Sequence, residues 1–156
     1  MTSTEAPSST HSGRPRIVVG IDGSDGAKRA LGWAFSEAEQ RGADLDVVIA
    51  WDLPYKWAEG FNTEWGEDSD YFARAAADEA GAVVDDLLDG KPRPGWLTVH
   101  AVEGPPAPVL IERARAADLL VLGTRGRGGF AKLLLGSVSN TCVHHAPCPV
   151  CVIPAG

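Results

Sequence analysis

Short apolar runs alternate along this chain with stretches of helical periodicity. Ile17 to Ile21, IVVGI, places β-branched residues at successive positions, the pattern of a strand buried on both faces. Asp22-Gly23-Ser24 ends that run, and Ser24 or Asp25 can cap a helix starting near Gly26. Ala27, Ala30, Leu31, Ala34, Phe35 and Ala38 then recur at the spacing of one helix face, which Gly42 closes. Leu45 to Trp51, LDVVIAW, reads as a second strand. From about Ser69 to Leu88 the period is helical again, through Phe72, Ala76, Ala80, Val83, Val84 and Leu87. Lys91 to Gly95 is a proline-rich connector, and Leu97 to Val102 alternates as a third strand. Pro105 and Pro106 suit a helix start, with Val109, Leu110, Ala114 and Ala117 as its apolar face. Leu119 to Leu122 is a fourth strand, Ser137 to about His145 a last helix, and Pro149 to Ile153 a fifth strand.

Strands alternating with helices over the whole length predict an α/β fold: one three-layer domain, with a parallel sheet between helices. In such sheets ligands bind beyond the carboxyl ends of the strands, where the strand order reverses. Asp22 falls just past the first strand and Gly123 just past the fourth. If those strands are neighbours, the two residues face one crevice. Residues 1–15, rich in Ser, Thr, Pro and Gly, read as a disordered leader, and 16–156 as the domain. Asp52 to Asp68, interrupted by Pro54, Gly60 and Gly66, reads as a long loop. Its aromatic residues either fold over a site or pack on the domain as a surface excursion.

Charge sharpens the picture at one place. The chain of 156 residues carries a formal net charge of −7, yet no Asp or Glu follows Asp118, while Arg125, Arg127 and Lys132 do. Gly123, Gly126, Gly128 and Gly129 lie in the same stretch, and Gly136-Ser137 precede the last helix. A strand, a glycine-rich loop and a helix start make a phosphate cradle: glycine lets backbone N–H groups approach an anion, and the helix start aims unpaired donors at it. A flexible connector is the plainer alternative. The stretch is not a P-loop, since no Lys follows Gly136. Gly126-x-Gly128-x-x-Ala131 fits the loose dinucleotide pattern, but after the wrong strand and with no acidic residue about 20 positions on. Asp22 can bind ribose hydroxyls, an adenine amino group or a metal riding on phosphates, or can be a turn residue. Ser137 and Ser139 can donate to phosphate or serve as caps.

An acidic pI near 5.0 argues against nucleic acid as a partner. No apolar run reaches the roughly 18 residues of a membrane helix, and no signal peptide is evident. Three cysteines without a secretion signal suggest reduced thiols in a cytoplasm. Cys148 and Cys151 with Cys142, His144 and His145 invite a zinc or redox reading. Two cysteines three apart on a strand point to opposite faces, however, and a second ligand pair is missing elsewhere in the sequence. No nucleophile–base pair stands out.

Together IVVGIDGS (Ile17 to Ser24), ADLLVLGTRGRGG (Ala117 to Gly129), LLLGSVS (Leu133 to Ser139) and HAPCPVCVIP (His145 to Pro154) resemble the universal stress protein family. The spacing Gly123-x2-Gly126-x9-Gly136-Ser137 resembles the pattern of its ATP-binding branch. The resemblance implies a five-stranded parallel sheet in order 3-2-1-4-5, with ATP, accompanied by Mg²⁺ or Mn²⁺, at the carboxyl ends of strands one and four. It implies that Gly20 and Asp22 line the nucleotide and that Ala50 meets adenine through its backbone. Leu122, Gly123, Arg125 and Gly126 would wrap ribose and phosphates, and Gly136, Ser137, Val138 and Ser139 would present phosphate donors. It also implies a homodimer through the last strand, and the uncharged run Val150 to Ile153 suits such pairing. The functional expectation is a cytoplasmic ATP-dependent regulator or sensor in stress response. A slow metal-dependent ATPase and an interaction module that binds no nucleotide are the alternatives.

Overall fold

The structure, a computed structural model, describes residues 13–52, 66–124 and 135–155. Five parallel strands form one sheet in the order β3-β2-β1-β4-β5. The elements follow as β1 Arg16–Ile21, α1 Asp25–Arg41, β2 Asp44–Trp51, α2 Gly66–Leu88, β3 Leu97–Glu103, α3 Pro106–Ala114, β4 Leu119–Gly123, α4 Ser137–His145 and β5 Val150–Ile153. The expected fold class, strand order and every described element are present.

Alternation along the central strands assigns the two faces. Ile17, Val19 and Ile21 of β1, Leu45, Val47 and Ile49 of β2, and Val121 of β4 pack under α1 and α2. Val18, Val48, Leu120 and Leu122 face α3 and α4, against Leu110, Ala114 and Cys142. Both faces of the central strands are therefore apolar, as their continuous hydrophobic runs require.

Ser24 caps α1: its Oγ accepts from the Ala27 amide at 3.2 Å, and Gly42 closes the helix in the left-handed conformation at φ 62°. α2 begins at Gly66, earlier than the expected Ser69, and its inward residues are Ala76, Ala80, Val84 and Leu88. Leu87, expected inside, is exposed: counting in fours from Ala76 leads to Leu88, and the helix faces the sheet along that row. α3 stops at Ala114, so Ala117 packs from the turn that follows. β5 starts at Val150, one residue after Pro149, and Cys148 precedes it. Cys148 still packs on the α3–α4 side and Cys151 on the α1–α2 side, so the two thiols are parted by the sheet.

At the amino ends of the strands lies a charged group that the sequence pattern did not reveal. Asp46, 6% exposed within β2, receives Arg16 Nη1 on Oδ2 at 2.7 Å. His100 Nε2 approaches Oδ1 at 3.3 Å, an ion-pair distance without hydrogen-bond alignment. Burial pushes the Asp46 carboxyl up, but contact with His100 and Arg16 outweighs burial and holds it below its ordinary value. The expected leader falls on residues 1–15, of which 1–12 lie outside the described residues; the expected aromatic loop does so over residues 53–65.

Candidate functional site

The strand order reverses between β1 and β4, which pair directly, Val19 with Val121. The chain that leaves β1 through Asp22 and the chain that leaves β4 through Gly123 therefore emerge side by side, where open parallel sheets bind ligands. Gly123 lies against the first turn of α1. A Cβ added there would stand 2.9 Å from both the carbonyl carbon and oxygen of Gly26, closer than a side chain tolerates. Its glycine is needed for strand-to-helix contact as well as for any approach of a ligand.

Gly20, expected to line the nucleotide, points its missing side chain into the α3–α4 layer. A Cβ would meet Leu110 Cδ1 at 2.8 Å and Leu122 Cδ2 at 2.9 Å. Leu122 is itself buried there, so both offer the crevice only backbone. Ala50 sits half-buried near the end of β2, paired with Val102. Asp22 Oδ1 accepts from the Ser24 amide at 3.0 Å, a local turn that presents the carboxylate beside the start of α1. Arg125 and Gly126 lie outside the described residues.

The helix starts on this side of the sheet differ in what they leave open. α1 is closed by Ser24. α3 begins at Pro106, with Pro108 in the same turn, so two positions there have no N–H to offer. α4 is preceded by Gly136 at its N-cap, which brings no side chain to cap it, and its first turn holds no acid. The first helical bond of α4 runs from the Asn140 amide to the Gly136 carbonyl at 2.9 Å. The amides of Ser137, Val138 and Ser139 thus precede any intrahelical acceptor and point out of the helix end, which carries the positive end of its dipole. Ser137 is exposed, and Val138 anchors the turn in the apolar layer.

Thr124, which sequence reasoning passed over, holds this helix start in place. Its carbonyl accepts from the Gly136 amide at 2.6 Å and from Ser139 Oγ at 2.9 Å. Its own amide donates to Ile153 at 3.1 Å, and its Oγ1 accepts from the Ala155 amide at 3.3 Å. The one available signal was a β-branched residue directly after the strand-ending Gly123, inside a glycine-rich stretch. Ser139, expected as a phosphate donor, is buried with its hydroxyl turned to the carbonyls of Thr124 and Gly136. Among the described residues no group of three or more His, Cys, Asp and Glu is placed to hold a metal ion. Nor is any described helix long and apolar enough to cross a membrane.

Fold and crevice define a doubly wound α/β protein whose strand order reverses between the first and fourth strands, the place where such folds offer a ligand crevice. The chain belongs to the universal stress protein family, whose profile matches residues 13–154. It is 39% identical over 146 residues to universal stress protein Rv1996 of Mycobacterium tuberculosis, covering 87% of this chain and 43% of that protein. It is 39% identical over 140 residues to a universal stress protein of Thermus aquaticus, covering 88% of this chain and 96% of that protein. The chain thus spans less than half the length of the mycobacterial relative and nearly all of the Thermus one. A solved universal stress protein in complex with cAMP superposes with a TM-score of 0.62 at 27% identity, over 89% of this chain and 96% of that one. The universal stress protein from Archaeoglobus fulgidus in complex with dAMP gives 0.55 at 27% identity, over 90% and 97%.

Proposed function

We propose that this chain binds an adenine nucleotide, ATP foremost, in the crevice beyond β1 and β4, and works as a nucleotide-dependent regulator or sensor in stress response. The observation that carries this reading is the open first turn of α4, tied through Thr124 to the end of β4 while the neighbouring start of α1 is closed by its own serine. Backbone amides of Ser137, Val138 and Ser139 take the phosphate oxygens there, the exposed Ser137 hydroxyl adds a donor, and Gly136 keeps the approach free of a side chain. Asp22 accepts from the ribose hydroxyls. Ala50 meets the adenine through its backbone; Gly20, Leu122 and Gly123 contribute strand-end backbone. Arg125 and Gly126 complete the phosphate side, with Mg²⁺ or Mn²⁺ riding on the phosphates. Ligands of the solved relatives, cAMP and dAMP, share the adenine, sugar and phosphate that such a crevice selects.

The same reading pairs two copies through β5. This strand ends the sheet, is half-buried at all four positions and carries no charge.

Titration calorimetry with ATP and AMP, on wild type and Asp22→Asn, tests the nucleotide site. The Asn side chain keeps an acceptor for the Ser24 amide but loses the charged acceptor for ribose, so ATP affinity should fall about tenfold or more. Wild-type protein that binds neither nucleotide would end the reading. Sedimentation tests the pairing: a charged residue at Val152 should shift a dimer to monomer.

A further inference from the structure

Ser139 is 4% exposed, and its hydroxyl lies 2.9 Å from the carbonyl oxygen of Thr124 and 3.1 Å from that of Gly136. A serine hydroxyl has one proton to donate, and both neighbours are acceptors, so the proton is directed inward. The Thr124 carbonyl uses its two lone pairs on two parts of one helix start, the Gly136 amide and the Ser139 hydroxyl. A helix of nine residues does not hold itself in water. Val138, Cys142 and Ala146 pack α4 onto the sheet, but apolar packing sets a helix's depth and face better than its axial position. The polar lock at Thr124 supplies the axial constraint.

Resting on the nucleotide reading for the ligand, and on the geometry alone for the lock, we infer that Ser139 is a positioning residue. Its hydroxyl fastens the first turn of α4 to the Thr124 carbonyl, so that the amides of residues 137–139 are set toward the phosphates before a ligand arrives. That hydroxyl, unlike the Ser139 amide, is not a phosphate donor. Donors already fixed in place bind more tightly than donors ordered on binding, because the ordering cost falls on folding instead. The division of labour within one turn is then clear: Ser137 is exposed, and the buried Ser139 turns its hydroxyl to the carbonyls of Thr124 and Gly136.

Two readouts on wild type, Ser139→Ala and Ser139→Thr test this: amide hydrogen exchange in the nucleotide-free protein, read at Gly136, and ATP affinity. A lock predicts that Ser139→Ala speeds Gly136 exchange several-fold without ligand and weakens ATP about three- to tenfold, the worth of one hydrogen bond. Ser139→Thr, which keeps the hydroxyl, should restore both. Weaker ATP binding with unchanged Gly136 exchange would mean that the hydroxyl touches the ligand, and would overturn the inference. So would a Ser139→Ala protein unchanged in both. Wild type that binds no ATP sinks the nucleotide reading and the ligand half of this inference. The exchange at Gly136 then decides the lock alone, an unchanged rate overturning it.

Discussion

The Gly136 amide donates to the Thr124 carbonyl at 2.6 Å, joining the start of the last helix to the end of the fourth strand. That bond uses main-chain atoms on both sides, whereas the hydroxyl of Thr124 accepts only from the Ala155 amide among the described contacts. Thr124→Ala should therefore speed exchange at Ala155 and leave Gly136 nearly as protected as before. The stability loss should be about 0.5–1 kcal/mol, read from urea unfolding.

Gly123→Ala should destabilise the protein by about 2–3 kcal/mol, because the new methyl would lie 2.9 Å from the Gly26 backbone, which has no side chain to swing away. A lower urea midpoint at unchanged slope is the expected signature. Loss of nucleotide binding in this variant would report a displaced α1 start as readily as a lost ligand contact, so Asp22→Asn is the more informative substitution.

Gly20→Ala meets softer neighbours, the methyl ends of Leu110 and Leu122 at 2.8 and 2.9 Å. It should cost about 1–2 kcal/mol. Adding Leu110→Ala opens the space that the new methyl needs. The double variant should be less destabilised than the two singles added together, by about 1 kcal/mol in a mutant cycle, and strict additivity would remove Leu110 as the obstructing group.

Asp46 makes stability depend on acid. Its folded value lies below the ordinary 3.8, so the folded state releases this proton more readily than the unfolded chain. The stabilisation is complete above about pH 4 and is lost as pH falls through the lowered folded value. Asp46→Asn should cost about 2 kcal/mol at neutral pH, since it leaves Arg16 facing a neutral partner. The gap between wild type and variant should narrow below pH 4; a constant gap would show that the carboxylate's charge is not what Arg16 and His100 hold.

Cys142 is fully buried, and burial pushes its thiol up to about 11. A thiol reagent at pH 8 should modify Cys148 and Cys151 before Cys142. Cys142 should react at a rate set by opening of α4, and all three should become equally reactive in denaturant.

The strands and helices were legible in the sequence because each keeps one period over its length: β-branched runs for a sheet covered on both faces, and the Ala-rich row of α1. Ser24 was legible as a cap because capping is a contact between residues three apart. Leu87 and Leu88 could not be told apart, since two adjacent leucines satisfy the same apolar stripe and only the seating of α2 on the sheet separates them. Asp46 was hidden inside an apolar run because its partners come from β1 and β3, brought beside it only by the sheet. Thr124 was missed for the same reason: its contacts are with a helix start and a strand end that follow it in the chain. Glycines were recognised as special, yet the local pattern did not distinguish a glycine that admits a ligand from one that admits Gly26 or Leu110.

The sheet sorts the spectroscopic side chains as it sorts the apolar ones. Trp33, Trp51 and Trp96, the tryptophans among the described residues, all pack on the α1–α2 side, while Cys142 and Cys148 pack on the α3–α4 side that carries the candidate phosphate helix. Native indole emission from these three therefore watches one half of the molecule, and thiol labelling at those two cysteines watches the other. An event that loosens α4 alone would quicken labelling while leaving that emission still.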